Sequence, residues 1–152
     1  GVSVFTAPGD TAQLWPKIVH NTIFGNYDGF RNWDAPGNFH SQGLKVFNTI
    51  LFANVHYDMA SQMDFQGGQV QFCDWTRGFG GSESGYGNKH LDPEFLPDAF
   101  HLSQISPLID AATETPPVIW SYDWDGDPRT IDLIDPDTPE DNDMGVDEVT
   151  GE

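Results

Sequence analysis

The chain has 152 residues, enough for one domain with a core of its own, and a formal net charge of −18. Residues 110–152 hold fourteen of the 24 acidic side chains and one of the six basic ones, so that segment carries −13 and residues 1–109 carry −5. Nucleic acid and anionic lipid are thereby excluded as partners, because both need clustered Lys and Arg, and no apolar run is long enough to cross a membrane as a helix.

Gly (16) and Pro (11) predict many turns and no long helix, while Phe (11) and Trp (5) supply much of the area that a core can bury. Cys73 stands alone, which excludes an internal disulfide, and its neighbours Phe72 and Trp75 predict a buried, inert thiol.

Along the chain, Val2-Ser3-Val4-Phe5 reads as a short strand and as a further copy of the string that recurs downstream. Val19-His20-Asn21-Thr22-Ile23-Phe24-Gly25-Asn26 is echoed by Val46-Phe47-Asn48-Thr49-Ile50-Leu51-Phe52-Ala53-Asn54, with Val19 and Val46, Asn21 and Asn48, and Ile23 and Ile50 each 27 residues apart. A weaker copy, Val70-Gln71-Phe72-Cys73-Asp74-Trp75, sets Cys73 in the place of Asn48 after 25 residues. One short β-rich string per period in the mid-twenties predicts stacked repeats, with Ile23 above Ile50 and an amide ladder joining Asn21 to Asn48. Tyr27 to Gly43 and Gly78 to Asn88 read as loops. From Asp92 onward the period is lost and prolines punctuate the chain, which predicts an irregular cap sealing the last repeat through Leu102, Ile105, Leu108, Ile109, Val118, Ile119 and Trp120.

Within that final segment, Asp92-Pro93-Glu94-Phe95, Ser106-Pro107-Leu108-Ile109-Asp110-Ala111, Asp125-Gly126-Asp127-Pro128-Arg129 and Asp143-Met144-Gly145-Val146-Asp147-Glu148 follow one another. In this order they resemble the C-terminal part of right-handed parallel β-helix proteins of bacterial surfaces, of pectate-lyase-like fold, that carry a choice-of-anchor type C-terminal domain. Ala112 stands where Gly is usual and Val146 where Ala is usual. The resemblance implies an all-β parallel β-helix of three to four rungs over residues 1–90 and an acidic cap over 91–152. It also implies a secreted or cell-surface location, and a piece of a longer protein whose upstream rungs, or another chain, would meet the N-terminal rung. Such proteins include passive scaffolds as well as polysaccharide lyases and hydrolases. A non-catalytic scaffold is the function expected here, and the alternative is the terminal part of a polysaccharide-binding or polysaccharide-degrading protein.

Asp123, Asp125 and Asp127 alternate around Gly126, an arrangement of oxygen donors suited to Ca²⁺, to which Asp110, Asp143 and Glu148 could add. It is not an EF-hand, because Gly falls at the fourth place and Ile134 at the twelfth. The competing expectation is that these aspartates cap turns, with Arg129 paired to one carboxylate, Asp143 or Asp147. His20, His40, His56, His90 and His101 show no metal-binding spacing, and His20 is expected to point outward from its strand. Arg31, Lys45, Arg77 and Lys89 are available to a lyase, but nothing in their spacing selects one, so no catalytic residue is assigned. Phe30, Trp33 and Phe39 fall in the polar stretch after Asn26. They are either sugar-stacking rings or a cluster folded back beneath a loop.

Overall fold

The computed structural model describes residues 1–5, 16–33, 44–61, 70–79, 85–113, 121–129 and 143–145. It is all-β, with no helix among the described residues. The described residues include ten strands: β1 (Val2–Phe5), β2 (Lys17–Val19), β3 (Thr22–Phe24), β4 (Asp28–Trp33), β5 (Lys45–Phe47), β6 (Ile50–Phe52), β7 (Tyr57–Ser61), β8 (Val70–Gln71), β9 (Asp74–Trp75) and β10 (Gly78–Phe79). They form three sheets ordered β1-β4-β7-β10, β2-β5-β8 and β3-β6-β9, and every pairing within them is parallel. Each repeat thus contributes its first, second and third strand to a different sheet and then starts again one strand spacing, ~4.8 Å, further along.

The expected repeats are present, but their register differs. Val19 lies opposite Phe47, and Ile23 opposite Leu51, an offset of 28 residues rather than 27. Asn48 therefore falls beside His20, not Asn21, and the third copy places Phe72, not Cys73, in line with Asn48. The cause is that the Asn-Thr-Ile letters serve opposite faces. Ile23 points into the interior cluster with Phe30, Leu44, Val46, Leu51, Met59, Val70 and Trp75. Ile50 points out of the same sheet and is buried instead against Leu102, Leu108, Ile109 and Met144. Val2–Phe5, read as a further copy of the first string, is instead a third-sheet strand paired with Phe30–Trp33.

The bend from the first to the second sheet is built the same way three times. His20, Asn48 and Phe72 all adopt positive φ, 52°, 50° and 50°, a conformation that costs non-glycine residues on the order of 1 kcal/mol each. The next side chain locks it by donating back to the carbonyl two residues earlier. Asn21 Nδ2 reaches Val19 O at 2.8 Å, Thr49 Oγ1 reaches Phe47 O at 2.8 Å, and Cys73 Sγ reaches Gln71 O at 3.3 Å. Burial pushes the Cys73 thiol up to about 12, consistent with a structural rather than nucleophilic sulfur.

One bend further on, the Asn54 side chain joins successive repeats through backbone groups and Asp58, not as a ladder of side-chain amides. Asn54 Oδ1 accepts the Asn26 N–H at 2.9 Å, and its Nδ2 donates to Ile23 O at 3.0 Å and Asp58 Oδ1 at 2.8 Å. The buried Asp58 Oδ2 continues the chain by accepting from Thr76 N, Thr76 Oγ1 and Arg77 N.

The C-terminal segment does not simply lie over the last repeat. Residues 85–91 do that: Lys89 bridges to Asp74, and Tyr86 O accepts the Phe72 N–H. The described residues beyond 91 touch the flanks of the repeats. Gly145 N–H donates to Asn48 O, Thr113 N–H to Asn48 Oδ1, and Arg129 Nη1 to His20 Nδ1. Leu102, Leu108 and Ile109 are buried as expected, whereas Ile105 is 80% exposed; Val118, Ile119 and Trp120 lie outside the described residues.

Leu51→Ala, at the centre of the interior cluster, should lower stability by about 2–5 kcal/mol in a urea titration. Gly145→Ala should destabilise through a different cause. A Cβ there would stand 2.8 Å from Ile50 Cδ1 and 2.9 Å from Thr22 Oγ1, at φ +98°. A thermal midpoint equal to wild type for Gly145→Ala would mean that the flanking segment is not held as described.

Candidate functional site

The Asp-rich loop is a self-capped turn. Asp123 Oδ1 accepts the backbone N–H of Asp125, Gly126 and Asp127 at 2.9, 2.8 and 2.8 Å, and Asp123 N–H donates to Asp127 O. Asp125 Oδ2 is taken by His101 Nε2 at 2.8 Å, and His101 Nδ1 meets Asp98 Oδ2. Backbone N–H donation from Phe100, with His101 adding, holds the Asp98 carboxyl down to about 2. Asp143 lies elsewhere, where its Oδ1 accepts the Asp110 N–H at 2.7 Å, and Glu148 is outside the described residues. The six proposed calcium ligands thus do not form one set. Among the described residues, no three His, Cys, Asp or Glu side chains are grouped to hold a metal ion. At the loop, Asp123 Oδ1 is engaged by backbone amides and Asp125 Oδ2 by an imidazole.

Arg129 does pin the C-terminal segment. It is buried, and besides His20 it donates from Nε to Tyr122 O at 3.3 Å and from Nη1 to Gly145 O at 3.4 Å. Asp147, one of its two expected partners, lies outside the described residues. His20, expected to point outward, is itself buried, because the bend turns it under Arg129. A guanidinium can only donate, so His20 Nδ1 must accept at 3.0 Å. The other ring nitrogen, Nε2, lies 3.2 Å from Asn48 Nδ2. That amide is fixed by its two bonds to the Thr113 backbone, so it presents a donor as well. Between two donors the imidazole has no room for a second proton. Burial first, and Arg129 second, push its pKa down to about 3.

The carbohydrate-stacking candidates are redistributed. Phe30 is 0% exposed and belongs to the interior core, because the stretch read as loop is strand β4; it is not available to a sugar. Trp33 ends the same strand opposite Phe5, and Phe39 lies outside the described residues. Exposed rings occur elsewhere, at Tyr27, Tyr86, Phe100, Tyr122 and Trp124.

A cluster that sequence spacing did not reveal sits where each repeat turns into its third strand. His56 Nδ1 contacts Asp28 Oδ1 at 3.0 Å, Arg31 Nη1 lies 3.3 Å from Asp28 Oδ2, and the His56 ring is flanked by Tyr27 and Tyr57 with centroids 5.3 and 4.0 Å away. Asp28 and His56 are 28 residues apart, so only the register brings them together.

No protein-family model matches the chain, and no curated protein or solved structure matches it.

The pH dependence should carry the signature of His20. Unfolded, it binds a proton below about 6.5; folded, only below about 3. The unfolded state therefore holds more protons between those values, and stability is lost as pH falls from 6.5 toward 3. Asp74 opposes this over part of the range. Burial raises its carboxyl to about 6, so its contribution is lost as pH rises from 3.8 through 6. The two are separated by variant: His20→Asn, which tolerates the left-handed bend, should lose stability less steeply than wild type between pH 6.5 and 4. Parallel curves for the two proteins would refute a neutral buried His20.

Proposed function

We propose that the chain is a non-catalytic scaffold segment of an extracellular or cell-surface protein built as a right-handed parallel β-helix. The observation that carries this reading is the threefold recurrence of the same bend, at His20, Asn48 and Phe72, between sheets whose strands stack in parallel register. An architecture of this kind grows by adding equivalent rungs, and a lateral brace keeps the stack from fraying. The acidic surface suits a protein exposed to solvent and to divalent cations, and amides and Arg129 contribute to holding the brace.

The N-terminal face supports a continuing stack. Among the described residues, β2 and β3 are edge strands of their sheets, whereas β4 is covered by β1. Because β1 occupies the third-strand place of a preceding repeat, that repeat's first and second strands are the natural partners for the open edges of β2 and β3. Upstream residues of the same protein, or a second chain offering equivalent strands, would supply them.

Small-angle scattering on the protein extended upstream by one and then two repeat lengths tests the proposal. The long axis should grow by ~4.8 Å per added repeat at constant cross-section, and the thermal midpoint should rise as the edges are covered. Growth in all directions, or a midpoint unmoved by the additions, would refute it.

A further inference from the structure

At the bend into the third strand, one segment from each repeat is stacked by backbone hydrogen bonds. Val55 N–H and His56 N–H donate to Asn26 O and Tyr27 O at 2.8 Å, and Arg77 O accepts from Asp58 N–H at 2.9 Å and Met59 N–H at 3.1 Å. Tyr27, His56 and Arg77 therefore come from three successive levels, about one strand spacing apart. Tyr27 is 68% exposed, and the side chain of His56 is 43% exposed. Arg77 is exposed too, with Nη1 held by Val55 O at 2.8 Å and Asn54 O at 3.4 Å.

Each part is oriented by its surroundings. Asp28 is an acceptor, so the hydrogen on Nδ1 of His56 points to it and Nε2 is left as the working nitrogen. The Asp28 side chain is 10% exposed and already engaged by His56 and Arg31, so it is not available to hold a cationic ligand. The Tyr27 ring, tilted against His56, offers a flat apolar face of the kind that stacks on a sugar ring. Arg77, anchored through one nitrogen, is preorganised to meet a planar or tetrahedral oxyanion. Arg31 and Arg77 balance the carboxylates of Asp28 and Asp58 at this bend, and of the four only the Arg77 side chain is both well exposed and bonded to carbonyls instead of an opposite charge, while −13 of the net charge belongs to residues 110–152.

We propose that this row binds an anionic saccharide, with its ring on Tyr27, a hydroxyl on His56 Nε2, and its carboxylate or sulfate on Arg77. The site is one of binding, and it needs only that the three bends stack as described. It therefore stands or falls separately from the scaffold reading.

Calorimetric titration of the intact protein with three probes tests it: an oligogalacturonate (carboxylate), a heparin-derived oligosaccharide (sulfate) and a cello-oligosaccharide of similar length (neutral). Binding of either anionic probe, and not the neutral one, is expected, and which of the two binds identifies the oxyanion. Tyr27→Ala and Arg77→Gln should each weaken that binding about tenfold or more. Tyr27→Ala, altering an exposed ring, should leave the thermal midpoint unchanged, which guards against a loss caused by unfolding. The His56 ring resonances should move on titration in wild type. Failure of both anionic probes to bind, equal binding of the neutral one, or binding undiminished in a folded Tyr27→Ala protein would overturn the proposal.

Discussion

Three sheets can share one core only if the backbone changes its heading at the same points in every repeat, and between the first and second strands that demand falls on a single residue. His20, Asn48 and Phe72 take up a left-handed conformation that Asn and His tolerate better than most residues and Phe does not favour. It persists because neighbouring groups fix it. The following side chain bonds back across the bend, and the first two bends are also gripped from outside by the C-terminal segment. The strands are only two or three residues long at these places, too short to define a sheet by themselves. It is the repeated bend that keeps them in line.

The repeating strings could be read from the residues, because one rung cannot bury its own apolar face and the same pattern must therefore recur. Their register could not. Alternation tells inside from outside only when one face meets water. The sheet formed by β3, β6 and β9 is covered on both faces, so Ile50 is as buried facing out as Leu51 is facing in. Matching letters rather than faces gave an offset short by one residue, and the expected Asn21–Asn48 ladder went with it. Between Asn26 and Asn54, which end the same two strings, the bond runs from a backbone N–H to a side-chain oxygen.

Candidate sites fared differently according to how local their chemistry is. The turn at Asp123 was foreseeable, since an aspartate followed by Asp-Gly readily caps its own backbone; spacing alone could not say whether an ion would compete for the oxygens. Phe30 was misjudged because its polar neighbours Asn26, Asp28 and Asn32 mask a strand that pairs on both sides. The Tyr27–His56–Arg77 row was invisible for a geometric reason. Its members are 29 and 21 residues apart in sequence, unequal steps that no motif search would join.

The lateral position of the C-terminal segment changes how the molecule comes apart. A bare stack of repeats touches only its neighbours and can unzip from an end, one layer at a time. Here a single strap is buttoned to the first layer at His20 and to the second at Asn48, and it packs partly buried Phe72 of the third into the same apolar seam as Ile50. No layer can peel away without tearing that seam. Loss of order should accordingly be abrupt and shared, a linear assembly behaving like a globule.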